Sequence, residues 1–266
     1  MTAWPATLAG CLLALSPAMA DDWFQKRIVY TVAGMDRVRA ERDVTYRETA
    51  DGGVKMDVYV PPGLSAADRR PVVFFIHGGP IPPGQGAKNL GVFRSYGELA
   101  AASGFVGVTF DHRLHSPQDY GRSAEDVAAA IDFVRSNSGR FHADPERSGV
   151  WAFSGGGPLL EPFFRNPPSH VKAVVSFYAL IEAPAKAVES GSGPFPPVLI
   201  GRAGKDDVRF NASVEAFARA AWAKGLVLDV LNHPTGQHGF DILDDDERSR
   251  EVIRRTIEFL QARLNP

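Results

Sequence analysis

The chain of 266 residues has one cysteine, Cys11. A lone thiol excludes an internal disulfide framework and a cysteine-rich zinc site. A charge excess is also missing. Against 29 Lys and Arg stand 31 Asp and Glu, a net charge of −2 at pH 7. That balance gives no basic field for a nucleic-acid partner. The seven histidines form neither an HExxH pattern nor a facial cluster with carboxylates. No metal and no cofactor are therefore expected. Long apolar runs are absent too. Residues 8–15 form a short one, whereas crossing a bilayer takes about 20 residues. No integral membrane association is expected.

That short run instead fits the core of a secretory leader. Pro17 follows it, then Ala18-Met19-Ala20 and the acidic pair Asp21-Asp22. A small-x-small end after a short apolar core predicts a signal peptide over residues 1–20, with one domain over residues 21–266. Residues 1–7 hold no Lys or Arg, so this leader lacks the usual basic start. A cleaved leader implies a periplasmic or secreted protein; an uncleaved extension implies a cytoplasmic one. Cleavage would leave a chain without cysteine, which suits an oxidising compartment.

Beyond the leader, strand-like and helix-like segments alternate. Residues 54–60 alternate apolar and polar side chains, as a half-exposed strand should. Val72-Val73-Phe74-Phe75-Ile76 is continuously apolar, the pattern of a strand buried on both faces. Residues 105–110, 149–153, 171–177, 198–201 and 226–231 read as further strands. Residues 93–103, 211–223 and 246–264 read as helices. Ser123-Ala124-Glu125-Asp126 reads as a capping box opening another helix. A helix is expected to start near Gly156, with Pro162 kinking or ending it. Residues 182–197, rich in Gly, Pro and Ala, read as a loop or small lid. The alternation predicts an α/β fold: a mostly parallel, doubly wound sheet flanked by helices, in a single domain with little or no cap.

Four short motifs sit at the ends of these strands. In Ala152-Phe153-Ser154-Gly155-Gly156-Gly157 a strand runs directly into a serine. A nucleophilic serine on a tight strand-to-helix turn needs small residues two before and two after it. Ala152 and Gly156 meet that need. His77-Gly78-Gly79-Pro80 follows the buried strand at residues 72–76. Acyl transfer needs preorganised N–H groups for its oxyanion. The candidates are Gly78 or Gly79, together with Gly155; Pro80 has no N–H. Gly201-Arg202-Ala203-Gly204-Lys205-Asp206-Asp207 supplies a carboxylate after a later strand. Asp206 is the first candidate to orient a catalytic base, and Asp207 is the alternative. Gly236-Gln237-His238-Gly239-Phe240-Asp241 supplies that base. His238 is preferred over His233, which ends a strand. The chain order Ser154, then Asp206 or Asp207, then His238 matches one known order for a serine triad.

On these motifs the chain resembles the α/β-hydrolase serine esterases, especially the small dienelactone-hydrolase-like and hormone-sensitive-lipase-like carboxylesterases. The resemblance covers about residues 44–264. His77-Gly78-Gly79 is similar to the oxyanion loop of that family. Asp111-His112-Arg113-Leu114 is similar to its Asp-Tyr-Arg-Leu segment, with His112 in the Tyr position. The resemblance implies that Asp111 and Arg113 are structural. It also implies cofactor-free hydrolysis of a small-molecule carboxylic ester through an acyl-enzyme. Dienelactone hydrolases proper use a cysteine where this chain has Ser154, and Pro80 replaces the third Gly of the full loop. Two other readings fit the same scaffold: a prolyl-oligopeptidase-like peptidase, and a non-catalytic binding protein. Phe93, Tyr96, Tyr120, Phe163, Phe164 and Tyr178 are candidates to line a pocket.

Overall fold

A computed structural model describes residues 25–82 and 84–265. The expected leader at residues 1–20 lies outside them. Eight strands form one sheet: β1 (Arg39–Thr49), β2 (Gly52–Val60), β3 (Arg70–Ile76), β4 (Val106–Phe110), β5 (Ala143–Phe153), β6 (Val171–Phe177), β7 (Val198–Ala203) and β8 (Leu228–His233). Their order is β1-β2-β4-β3-β5-β6-β7-β8. The β1–β2 and β2–β4 pairs are antiparallel, and every later pair is parallel.

The apolar run in β3 shows how this sheet is held. Val72, Phe74 and Ile76 enter the core on one face, and Val73 and Phe75 enter the core on the other. A strand has a side-chain period of two, so only a continuous apolar run can fill both faces. Helix α1 (Gly91–Ala102) covers one face with Val92, Phe93, Tyr96 and Leu99. Helix α7 (Glu247–Leu264), which follows the short α6 (Phe240–Leu243), adds Val252, Ile253, Ile257 and Leu260 to that face. Helix α2 (Tyr120–Ser136) covers the other with Val127, Ala130, Ile131 and Val134. Each fully buried aliphatic side chain of this kind contributes about 1.5–3 kcal/mol.

Three local expectations are corrected. Ser123 and Asp126 do not cap a helix; they lie buried inside α2. The helix starts earlier, after a 3-10 turn at Pro117–Asp119, where Asp119 accepts from Ser116 Oγ at 2.8 Å. Asp126 is instead a fully buried carboxylate, paired with Arg113 Nε and Arg47 Nη1, both at 2.9 Å. The segment after Ser154 is a 3-10 helix, Ser154–Leu160, and Pro162 opens the short helix α3 (Pro162–Arg165) rather than kinking one. The expected loop or lid at residues 182–197 contains helix α4 (Glu182–Ser190). Its Ala185, Ala187 and Val188 are core residues on the face that α5 (Val208–Ala223) also covers. Alanine favours helix strongly enough to outweigh the flanking Gly and Pro.

Candidate active site

Parallel strands β3 to β8 deliver their following loops to one edge of the sheet, where open α/β sheets place their ligands. Ser154 is the first residue after β5 and has φ +51°. A left-handed backbone at a non-glycine residue costs about 1–3 kcal/mol, so its surroundings must enforce it. They do so by close approach. A Cβ on Gly156 would lie 2.5 Å from the His77 carbonyl oxygen, and one on Gly155 would collide with the Gly79 carbonyl oxygen. Only glycine lets the turn after Ser154 press against the loop after β3.

Here the residues expected to act together meet. His238 Nε2 lies 2.7 Å from Ser154 Oγ, and His238 Nδ1 lies 2.8 Å from Asp206 Oδ2. The Asp206 side chain is 4% exposed. Its other oxygen accepts from the Asp207 N–H at 2.8 Å. Asp207 points away from this group. Its carboxylate caps α5, accepting from the Arg209 N–H at 2.9 Å and from Arg209 Nε at 3.1 Å. Those bonds hold its carboxyl below the usual range. His233 also lies elsewhere, buried, with Nε2 3.0 Å from Ser249 Oγ and 3.2 Å from Asp246 at the start of α7.

The loop carrying Gly78 and Gly79 packs on Ser154. A Cβ on Gly78 would sit 2.9 Å from Ser154 Cβ. The His77 ring holds this loop from behind. Its Nδ1 is 2.5 Å from the Gly78 carbonyl oxygen, which can only accept, so Nδ1 carries the proton. Its Nε2 then accepts from the His112 N–H at 3.3 Å. The two imidazoles stack with centroids 3.5 Å apart. Burial pushes His77 down to about 4 and His112 well below its ordinary value, so both rings are neutral near pH 7. Farther along the loop, buried Lys88 is gripped by Asp43 at 2.7 Å and by Asp57 at 3.0 Å. From the other side, Tyr120 donates to the Gly155 carbonyl at 2.8 Å.

Three residues around His238 escape a motif search. The His238 ring lies between Tyr178 and Phe210, each with its centroid 4.8 Å away. Tyr178 donates to Asp241 at 2.6 Å, and Tyr96 donates to the other Asp241 oxygen at 2.6 Å. Burial pushes the Asp241 carboxyl up, and the two hydroxyls oppose that. Asp241 is visible in sequence only as the third residue after His238, and Phe210 carries no signal of its own. Of the expected pocket aromatics, Tyr96 and Phe164 are core residues, Phe93 packs on His77, and Phe163 is buried. Tyr178 and Tyr120 touch the site.

Among the described residues, no group of three or more His, Cys, Asp or Glu could hold a metal ion. No described helix is long and apolar enough to cross a membrane.

A model of the BD-FAE family matches residues 56–189. The match includes Gly78, Gly79 and Ser154 and ends before Asp206 and His238. The chain is 31% identical over 125 residues to carboxylesterase 3B of Mus musculus, covering 43% of this chain and 21% of that protein. It is 29% identical over 111 residues to gut esterase 1 of Caenorhabditis briggsae, covering 38% and 19%. It thus spans about a fifth of the length of these curated relatives. Among solved structures, native Thermogutta terrifontis esterase 2 superposes with TM-score 0.70 at 20% identity, covering 86% of this chain and 93% of that one. The same esterase phosphorylated by paraoxon gives TM-score 0.71 at 22% identity, covering 85% and 96%. At that identity the likeness establishes the α/β-hydrolase fold.

Proposed function

The chain belongs to the BD-FAE family of α/β-hydrolase esterases, and from that premise we propose that it hydrolyses small carboxylic esters through an acyl-enzyme on Ser154. The observation that carries this reading is the unbroken contact from Ser154 Oγ through His238 to Asp206, at 2.7 and 2.8 Å.

The chemistry follows from the contacts. His238 Nε2 takes the hydroxyl proton as Ser154 Oγ attacks the ester carbonyl carbon. Asp206 holds the Nδ1 proton and favours the imidazolium that forms. The oxyanion takes its hydrogen bonds from the Gly155 N–H together with the Gly78 or Gly79 N–H. His238 then returns the proton to the leaving alkoxide, and the C–O bond breaks. Water, deprotonated by His238, attacks the acyl-enzyme, and the acid leaves as Ser154 recovers its proton. Every proton in the cycle passes through one nitrogen. Ser154→Ala should lower kcat/KM on 4-nitrophenyl butyrate by at least about 10³-fold. Hydrolysis at an undiminished rate would sink the proposal.

We also propose that residues 1–20 are a leader and that the domain acts in the periplasm or outside the cell. A mature chain beginning at Asp21 in a secreted or periplasmic fraction is the expected finding. An intact Met1 start there would contradict it.

A further inference from the structure

Beside the oxyanion loop, a cleft of about 460 Å³ opens between the β1–β2 hairpin and the loop after β4. Asp51, Lys55, His77, His112, Arg113 and Arg122 are among the residues that line it. It takes no part in the chemistry above, and most of the side chains that line it are polar or charged. Two guanidinium groups converge there. Arg113 Nη1 is 3.6 Å and Arg122 Nη1 is 3.8 Å from one oxygen of Asp51. Both distances are too long for hydrogen bonds. Asp51 itself sits on the hairpin turn with its side chain 67% exposed.

Each arginine is held by a different carboxylate on its Nε side. Arg113 Nε binds buried Asp126 at 2.9 Å, and Arg122 Nε binds Asp119 at 3.0 Å. The guanidiniums are therefore fixed while their Nη1 edges face one loosely held oxygen. Lys55 adds a third positive charge to the wall. Asp111 also lines the cleft, but its carboxyl already accepts from the Lys88 N–H at 3.0 Å and burial raises it to about 6. Asp51 marks a position where an incoming carboxylate would receive donors from two arginines.

Resting on the esterase reading, we propose that this cleft binds a carboxylate on the acyl part of the substrate, so that preferred substrates are esters of acids bearing a second, distal carboxylate. Strand order sets the distance. Ser154 follows β5, the oxyanion loop follows β3, and Arg113 follows β4. Two strand spacings separate β5 from β4, which is about 10 Å. Strand order also sets the side. Asp206 and His238 follow β7 and β8, on the opposite flank of Ser154. The alcohol must leave beside His238, so the arm reaching over β3 and β4 is the acyl chain.

The test compares two esters of one chain length, 4-nitrophenyl hydrogen suberate and its methyl-blocked counterpart. The free carboxylate should raise kcat/KM by roughly tenfold or more, acting through KM, because charge-assisted pairing to arginine is worth more than the 1.4 kcal/mol that tenfold requires. Arg122→Gln and, separately, Lys55→Gln should bring the ratio of the two esters toward one, as should high salt. Equal kcat/KM for both esters, or a preference that survives Arg122→Gln and Lys55→Gln, would overturn the inference and leave the esterase reading standing. If neither ester is hydrolysed, the esterase reading fails and binding decides the cleft. Monomethyl suberate titrated into the Ser154→Ala protein should bind saturably, and Arg122→Gln should abolish that binding. Absent binding, or binding indifferent to Arg122, would overturn the inference on its own.

Discussion

At the scale of single residues, adjacent aspartates do different work because one faces inward and one faces outward. Asp206 is nearly buried and meets the His238 Nδ1–H, whereas Asp207 is exposed and caps α5. Asp206→Asn should cost about 10³–10⁴-fold in kcat, because the amide cannot hold the imidazole in the required tautomer. Asp207→Asn should leave kcat within about twofold and shift stability by less than about 1 kcal/mol, since asparagine also caps helices well. Steady-state kinetics and urea melts on the pair would check both. The reverse ranking would exchange the two roles.

Elements explain what was legible in the sequence and what was not. The strands of the parallel core could be read because burial on both faces forces continuous apolar runs, as in Val72 to Ile76. Ser154, Gly78 and Gly79 could be read because a tight turn and a close backbone approach restrict residue choice so strongly. Strand β1 was not legible. It is an edge strand, and Arg39, Glu41, Arg42 and Asp43 on it are exposed. Asp126 misled for a different reason. A serine three residues before an acid looks like a cap, and only tertiary structure shows that the acid is buried under Arg113 and Arg47. Phe210 and Tyr178 pack on the His238 ring from far back in the chain, and Tyr178 reaches Asp241 across 63 residues, which local pattern cannot encode. The Asp126 pairing makes its own prediction. Asp126→Ala leaves Arg113 without its buried partner and should cost about 3–5 kcal/mol in denaturant unfolding. A loss under 1 kcal/mol would mean that the ion pairs are replaceable by solvent. The turn after Ser154 makes another. Gly156→Ala must push a Cβ into the His77 carbonyl, so soluble protein with intact activity would contradict the observed packing.

For the whole molecule, stability against acid is a contest between buried groups of opposite sign. His77 has its pKa lowered from 6.5 to about 4. Its contribution is present above pH 6.5 and is lost as pH falls toward 4, a change on the order of 3 kcal/mol. His112, also lowered by burial, acts in the same direction. Asp111 is raised from 3.8 to about 6. Its contribution is present below pH 3.8 and is lost as pH rises through 6, so it partly offsets the histidines on acidification. Asp241, also raised by burial, acts with Asp111, but the two buried histidines together with carboxylates held low, such as Asp119, Asp144 and Asp246, act against them, and the domain should lose stability between pH 7 and pH 4.5. Asp111→Asn removes the offset and should steepen that loss. Denaturant midpoints across that range would show it, and a shallower slope in Asp111→Asn would reverse the assignment.

The central claim concerns an activated serine, and covalent labelling tests it most directly. Folded protein treated with a fluorophosphonate, digested and mapped by mass spectrometry should carry one adduct, on Ser154, and His238→Ala should abolish it. An adduct on another residue, or none on folded protein, would contradict the account.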